Sequence, residues 1–355
     1  MRCIGVLSGT SMNAKEFILC EIKGEEKIEV LKYKSYQFEN ELKSELKNIS
    51  INGIGALEKI AEMHYNLGVS FAESLKKFIK GEGKLDVIGF HGQTIFHKEK
   101  GKTIITWQIG EPVFLSKVSG LPVIYDFRKC DIAMGGRGAP LSPIIHRILF
   151  GKAAKKIAVV NLGGITNITL IKDGEVISAR DVGPANALSD FITQKRLGLE
   201  YDKDGKIAEK GKVIEYAFGN VVNFFSSIKS ASLGYEVEIA KKNFYEMTKR
   251  EKVEDCLRTA IEISVALLTR SLKGFKPDLV ILCGGGVRNK FMVKRIREDN
   301  RNVFISDEFG VKAELVEPIL FAFLAYMRIK GKKVDMRKIT GAKKPYLPGK
   351  ICKVV

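Results

Sequence analysis

Twice along this chain a short apolar run with strand-like patterning meets a polar turn containing glycine, resumes as a second strand, and only later gives way to helices. The first occurrence runs through residues 3–7, the turn Ser8-Gly9-Thr10-Ser11-Met12-Asn13, residues 17–22 and a third alternating run over 26–36. The second runs through residues 156–161, the turn Gly163-Gly164, residues 167–171, the hairpin turn Lys172-Asp173-Gly174-Glu175 and residues 176–179. Alternation of apolar and polar positions with glycine at the turns is the signature of hairpins. A dinucleotide fold opens differently, as strand, turn and helix. The two halves share a plan without sharing sequence, which predicts an α/β chain of two similar domains flanking a ligand cleft.

Between these openings the sequence predicts helices over 39–49 and 54–80, the second amphipathic through Ile60, Met63, Leu67 and Phe71. A short strand over 85–90 ends in His91-Gly92-Gln93-Thr94, which reads as a polar loop, and further strands are expected at 103–109 and 121–125. Residues 126–143 are rich in glycine, proline and charge and read as a loop crossing between domains. A buried strand over 278–283 runs into Gly284-Gly285-Gly286. The division that follows places residues 1–130 in a first domain, joined by the C-terminal segment 335–355, and residues 131–334 in a second.

A formal charge of +18 over 355 residues invites a nucleic-acid reading. The lysines argue against it, because they alternate with glutamates, as in Glu39-Asn40-Glu41-Leu42-Lys43-Ser44-Glu45-Leu46-Lys47, the pattern of a solvated helix face. Such a surface still favours anionic small molecules, a nucleotide triphosphate among them. Six cysteines show no CxxC pair and no metal-ligand spacing, so free thiols in a reducing compartment are expected. No run resembles a signal peptide or approaches the roughly 20 apolar residues that span a bilayer. The expected location is cytoplasmic, with neither nucleic acid nor membrane as a partner; whether the chain forms a homodimer stays open.

Three glycine turns stand at strand ends: Gly9 within 8–13, Gly163-Gly164 within 161–167, and Gly284-Gly285-Gly286 within 283–289. Glycine lets backbone N–H groups approach an anion and neighbouring hydroxyls add donors, so such turns can hold phosphates. Any one of them alone is more often a plain turn, and it is the three together that point to phosphate. None fits the GxxxxGK[ST] loop or the GxGxxG helix opening.

The string Ile4-Gly5-Val6-Leu7-Ser8-Gly9-Thr10-Ser11-Met12 resembles the phosphate loop that opens the anhydro-N-acetylmuramic acid kinase family. The resemblance continues in family order through Gly89-Phe90-His91-Gly92-Gln93-Thr94, Gln108-Ile109-Gly110, Asp126-Phe127-Arg128, Asp131-Ile132-Ala133, Gly135-Gly136-Arg137-Gly138-Ala139-Pro140-Leu141 and Asn161-Leu162-Gly163-Gly164-Ile165. It goes on through Asp181-Val182-Gly183-Pro184-Ala185-Asn186, Tyr201-Asp202-Lys203-Asp204-Gly205, Cys283-Gly284-Gly285-Gly286-Val287-Arg288-Asn289, Glu317 and Thr340-Gly341-Ala342.

The resemblance implies two actin-like (ribonuclease H-like) domains with ATP and Mg2+ in the cleft between them. It implies an ATP-dependent sugar kinase that opens the 1,6-anhydro bond of anhydro-N-acetylmuramic acid with water and phosphorylates O6. On it, Asp181 is the general base and Gly9, Thr10, Ser11, Asn13, Gly163, Gly164, Asn167, Gly284, Gly285, Gly286 and Asn289 serve the nucleotide. Gln93, Thr94, Arg128 and Glu317 serve the sugar. Without the resemblance, Asp181 reads as a cap for a helix starting near Asn186, Glu317 as a favourable first-turn acid, and His91 as a structural loop histidine. Asp126 and Asp131 read equally as ligand contacts or as anchors of the crossing loop.

The chain departs from the family in three places. The family's first loop has the form Gly-Thr-Ser-x-Asp-Gly-x-Asp, and here it reads Gly9-Thr10-Ser11-Met12-Asn13-Ala14-Lys15-Glu16. A neutral amide at Asn13 can hydrogen-bond a metal-bound water but adds no charge against the cation. The family's basic Ser-Thr-Gly-Arg-Glu segment is not kept at Ser232-Leu233-Gly234-Tyr235-Glu236-Val237, and Lys129-Cys130 replaces two arginines. These changes leave open a kinase for a different sugar, or a catalytically silent protein that binds nucleotide or sugar.

Overall fold

The computed structural model describes residues 1–9, 12, 14–52, 57–100, 103–228 and 233–354, without the side chains of residues 47–52 and 100. Thr10, Ser11 and Asn13, and the start of the helix expected at 54–80, lie outside the described residues. The chain divides into two compact units, Met1–Ile148 with Glu317–Val355, and Leu149–Val316.

In the first unit, β1 (Arg2–Ser8), β2 (Ala14–Ile22) and β3 (Ile28–Gln37) form an antiparallel meander. β4 (Val87–Lys100) pairs in parallel with β1 and with β6 (Val123–Tyr125), and its far end pairs with β5 (Thr103–Ile109). In the second unit, β7 (Lys156–Leu162), β8 (Ile165–Lys172) and β9 (Glu175–Pro184) form the meander, and β10 (Leu279–Cys283) and β11 (Val303–Ile305) extend it in parallel. Strand order therefore runs β3-β2-β1-β4-β6 in one unit and β9-β8-β7-β10-β11 in the other, the same plan twice; β12 (Lys350–Cys352) adds an edge to the first.

Each sheet buries its apolar rows under helices. Met63, Leu67, Phe71, Leu75 and Phe78 recur every three to four residues on the helix Leu57–Ile79 and pack onto Ile4, Val6, Phe17 and Leu19 of the first sheet. The helix Val253–Lys273 does the same for the second sheet, against Ala158, Val160, Ile168 and Val182.

The units part at 148/149 and 316/317 rather than at the expected 130/131 and 334/335, for two physical reasons. Gly5 and Gly89 are partners on neighbouring strands, and a Cβ on either would run into the backbone carbonyl oxygen of Pro318 or Phe321. The helix Val316–Ile329 can lie that close to the first sheet only because both positions lack side chains. The segment after Tyr125 is tied back in the same way. Asp131, fully buried, accepts hydrogen bonds from the Gly138 amide at 2.7 Å, the Thr340 hydroxyl at 2.7 Å and the Tyr346 hydroxyl at 2.8 Å. Asp131 is thus an anchor for residues 131–140 and the C-terminal segment.

Two other expectations change. The stretch 126–143 is not one loop, since Phe127–Ala133 is a helix and another, Pro143–Phe150, begins at its end. His91-Gly92-Gln93-Thr94 does not end a strand either, because β4 continues through it to Lys100. Among the described residues no helix is long and apolar enough to cross a membrane.

Candidate active site

In the second unit the parallel pairing of β7 and β10 sets Asn161 beside Cys283, so both strands deliver their glycine turns to one edge of the sheet. Gly284 takes φ 84° and ψ 168°, a conformation open essentially to glycine alone, and a Cβ there would strike the Asn161 side chain. The turns are laced together. Asn186 donates from its side-chain amide to the Gly163 carbonyl at 3.3 Å, Ala185 from its backbone N–H to the Gly164 carbonyl at 2.9 Å, and Asn289 from its side chain to Asn186 Oδ1 at 3.4 Å. Asn289 also caps the helix Lys290–Asp299 through Oδ1, which accepts from the Met292 amide at 3.0 Å. Nothing stands within 4 Å of where a Cβ of Gly164 or Gly285 would be, so both backbones are open to an approaching group. Gly163, Gly164, Gly284, Gly285, Gly286 and Asn289 are thereby gathered at one place.

A polar row crosses the same sheet. Asn161 pairs with Asn167 across β7 and β8, and Asn167 pairs with Asp181 across β8 and β9, so all three side chains project from one face. Asp181 lies inside β9, next to a bulge at which Val182 is the extra residue between the pairs Thr166–Gly183 and Asn167–Asp181. Bulges re-aim neighbouring side chains and recur beside active sites. Asp181 does not cap the helix after Asn186. Its Oδ2 accepts the Leu233 backbone N–H at 2.9 Å, at the start of the helix Gly234–Thr248, whose positive end favours a carboxylate.

The first unit collects the residues that the resemblance assigns to sugar. Ser8, at the end of β1, pairs with Gln93 of β4, and both are buried. Ser8 Oγ and Gln93 Oε1 have no hydrogen-bond partner among the described residues. A buried polar atom left unpaired costs about 1–3 kcal/mol. Two of them at the foot of the glycine turn fit a polar ligand, a phosphate or a metal-bound water that supplies the missing bonds. Thr94 sits beside them, taking a hydrogen bond from the Gln108 side-chain amide at 3.3 Å.

Arg128 projects from the helix Phe127–Ala133, donating from Nε to His91 Nε2 at 3.3 Å and from a terminal nitrogen to the Gly138 carbonyl at 3.0 Å. Glu317, an exposed residue in the first turn of Val316–Ile329, lies one turn from Phe321 on the same helix face. Phe321 stacks on His91 with ring centroids 4.4 Å apart and planes 11° apart. Burial, and then the charge of Arg128, push the His91 imidazole well below its usual 6.5, and the same two causes bring His97 down to about 4. His91 is therefore neutral, with Nε2 as an acceptor.

The sequence reading left Ser8, Asn161, Asn186 and Gln108 unassigned and took His91 for a structural residue. Each falls inside a stretch that the sequence singles out, Asn186 within Asp181-Val182-Gly183-Pro184-Ala185-Asn186 among them, so position is legible while role is not.

Two units of one strand order, each carrying glycine turns at a sheet edge, define an α/β protein of the actin-like class to which nucleotide-dependent sugar kinases belong. The family model for anhydro-N-acetylmuramic acid kinase matches residues 1–353, and the chain belongs to that family. The anhydro-N-acetylmuramic acid kinase of Sulfurimonas denitrificans is 36% identical over 365 residues, covering 98% of each chain. That of a Sulfurovum species is 32% identical over 359 residues, again covering 98% of each. Among solved structures, a ROK family glucokinase from Streptomyces griseus in complex with glucose and AMPPNP overlays with a TM-score of 0.43 and 12% identity, covering 92% of this chain and 100% of that one.

Proposed function

We propose that the protein is an ATP-dependent kinase of anhydro-N-acetylmuramic acid, yielding N-acetylmuramic acid 6-phosphate in the cytoplasm. Water attacks the anomeric carbon, the bond from that carbon to O6 breaks, O6 takes the γ-phosphoryl group, and ADP leaves. Asp181 takes the proton from the attacking water. The observation that carries this reading is the placement of the Asp181 carboxylate, held by the Leu233 amide on the polar row beside Asn167.

Gly163, Gly164, Gly284, Gly285, Gly286 and Asn289 hold the nucleotide, together with Gly9, Thr10, Ser11, Asn13 and Asn167. Gln93, Thr94, Arg128 and Glu317 hold the sugar. Magnesium, when bound, would supply charge neutralisation for the transferring phosphoryl group. Asn13, a neutral amide, and Ser8 Oγ, which is buried without a partner among the described residues, would each be suited to hydrogen-bond a water carried by that ion.

The test is coupled ADP release over anhydro sugars, amino sugars and simple hexoses, with magnesium present or chelated. Release should depend on the anhydro sugar and on magnesium. Equal release with a simple hexose would point to a kinase for another sugar, and no release with any would leave a silent binding protein.

A further inference from the structure

Thr94, Arg128 and Glu317 come from a strand and two helices far apart in sequence, and the residue that joins them is His91. It is buried, with 6% of its surface exposed, and sits inside β4. One face of its ring lies flat on Phe321, one turn along the helix from Glu317. Its Nε2 accepts the Arg128 Nε–H at 3.3 Å and lies 3.4 Å from the Thr94 hydroxyl. We infer that His91 is a positioning residue for sugar recognition, holding the Arg128 guanidinium and the Thr94 hydroxyl in register with the helix that carries Glu317. This rests on the reading that Arg128 and Thr94 touch the sugar.

The physical argument concerns the freedom of Arg128. Two anchors on different edges, His91 Nε2 and the Gly138 carbonyl, fix the plane of the guanidinium. A planar group set in advance loses less rotamer freedom when it meets its ligand. A protonated imidazole would present a donor and a positive charge to Arg128 instead of an acceptor, so the device needs a histidine that stays neutral. Burial against Phe321 keeps it so.

The experiment is steady-state kinetics of the full chain with His91→Phe, which keeps an aromatic ring against Phe321 and removes the acceptor, and His91→Gln, which keeps an acceptor. Thermal unfolding monitors the fold, and His91→Leu replaces His91→Phe should the latter not fold. His91→Phe should raise the KM for the sugar about tenfold, the factor expected for one hydrogen bond to a charged group. Its kcat and its KM for ATP should stay within about twofold, and His91→Gln should recover most of the loss. In an Arg128→Ala background the effect of His91→Phe should shrink markedly, because the two substitutions remove one interaction. An unaltered sugar KM, an equal rise in both KM values, or full additivity with Arg128→Ala would overturn the role. A wild-type chain that turns over no sugar would overturn the kinase reading and this role with it, whereas an active wild type with unaltered His91→Phe overturns the role alone.

Discussion

Replacing Asp181 with asparagine should lower kcat about a hundredfold or more, the low end of what a positioned general base supplies. The substitution keeps the shape of the side chain, and an asparagine oxygen can still accept the Leu233 N–H that Asp181 Oδ2 accepts at 2.9 Å. Fold and position are preserved while the proton acceptor is lost. Nucleotide affinity should barely change, since Gly163, Gly164 and Gly284 to Gly286 keep their mutual contacts. ADP-release kinetics and calorimetric titration with a non-hydrolysable nucleotide measure the two quantities separately. A rate equal to wild type would mean that another group takes the proton.

A comparable effect, on stability this time, is expected at Asp190, in the first turn of the helix Ala187–Leu197. Burial, and next the charge of Asp202, push its carboxyl from the usual 3.8 up to about 7, with Lys241 pulling partly the other way. Asp202 accepts the Ile207 amide at 3.0 Å and the Ala208 amide at 2.9 Å. Between pH 4 and 7 the folded chain holds a proton on Asp190 that the unfolded chain has released. Stability from this group is therefore complete below pH 4 and is lost as pH rises through 7. Asp190→Asn, which cannot ionise, should match wild type at pH 4 and exceed it by on the order of 2–4 kcal/mol at pH 8. Denaturant unfolding of both proteins at the two pH values checks this. A gain of equal size at pH 4 would show that ionisation is not the cause.

The features visible from sequence are those with local causes. Alternation along 156–161 and 167–171 and the glycines between them fix a hairpin wherever it is placed, and β7 and β8 were legible for that reason. The helix Phe127–Ala133 escaped because seven residues give too little periodicity and Gly135-Gly136 follow at once. The continuation of β4 through His91 to Thr94 escaped because it depends on pairing with residues later in the chain, Gln93 with Ile109 and Thr94 with Gln108, and polar side chains alone resemble a loop.

The same division runs through the site. Turn glycines announce themselves, since the backbone they permit is a local property, whereas the bulge that aims Asp181 exists only as a mismatch between β8 and β9. His91 acquires a role from Arg128, 37 positions away, and from Phe321 on a helix at the far end of the chain.

Reaction in water enriched in 18O tests the central claim most directly. If water opens the anhydro ring while O6 takes the phosphoryl group, product quenched at early times carries one 18O at the anomeric carbon and none in its phosphate, and ADP forms in equal amount. Label appearing in inorganic phosphate, or a phosphorylated sugar that keeps its anhydro bond, would contradict it.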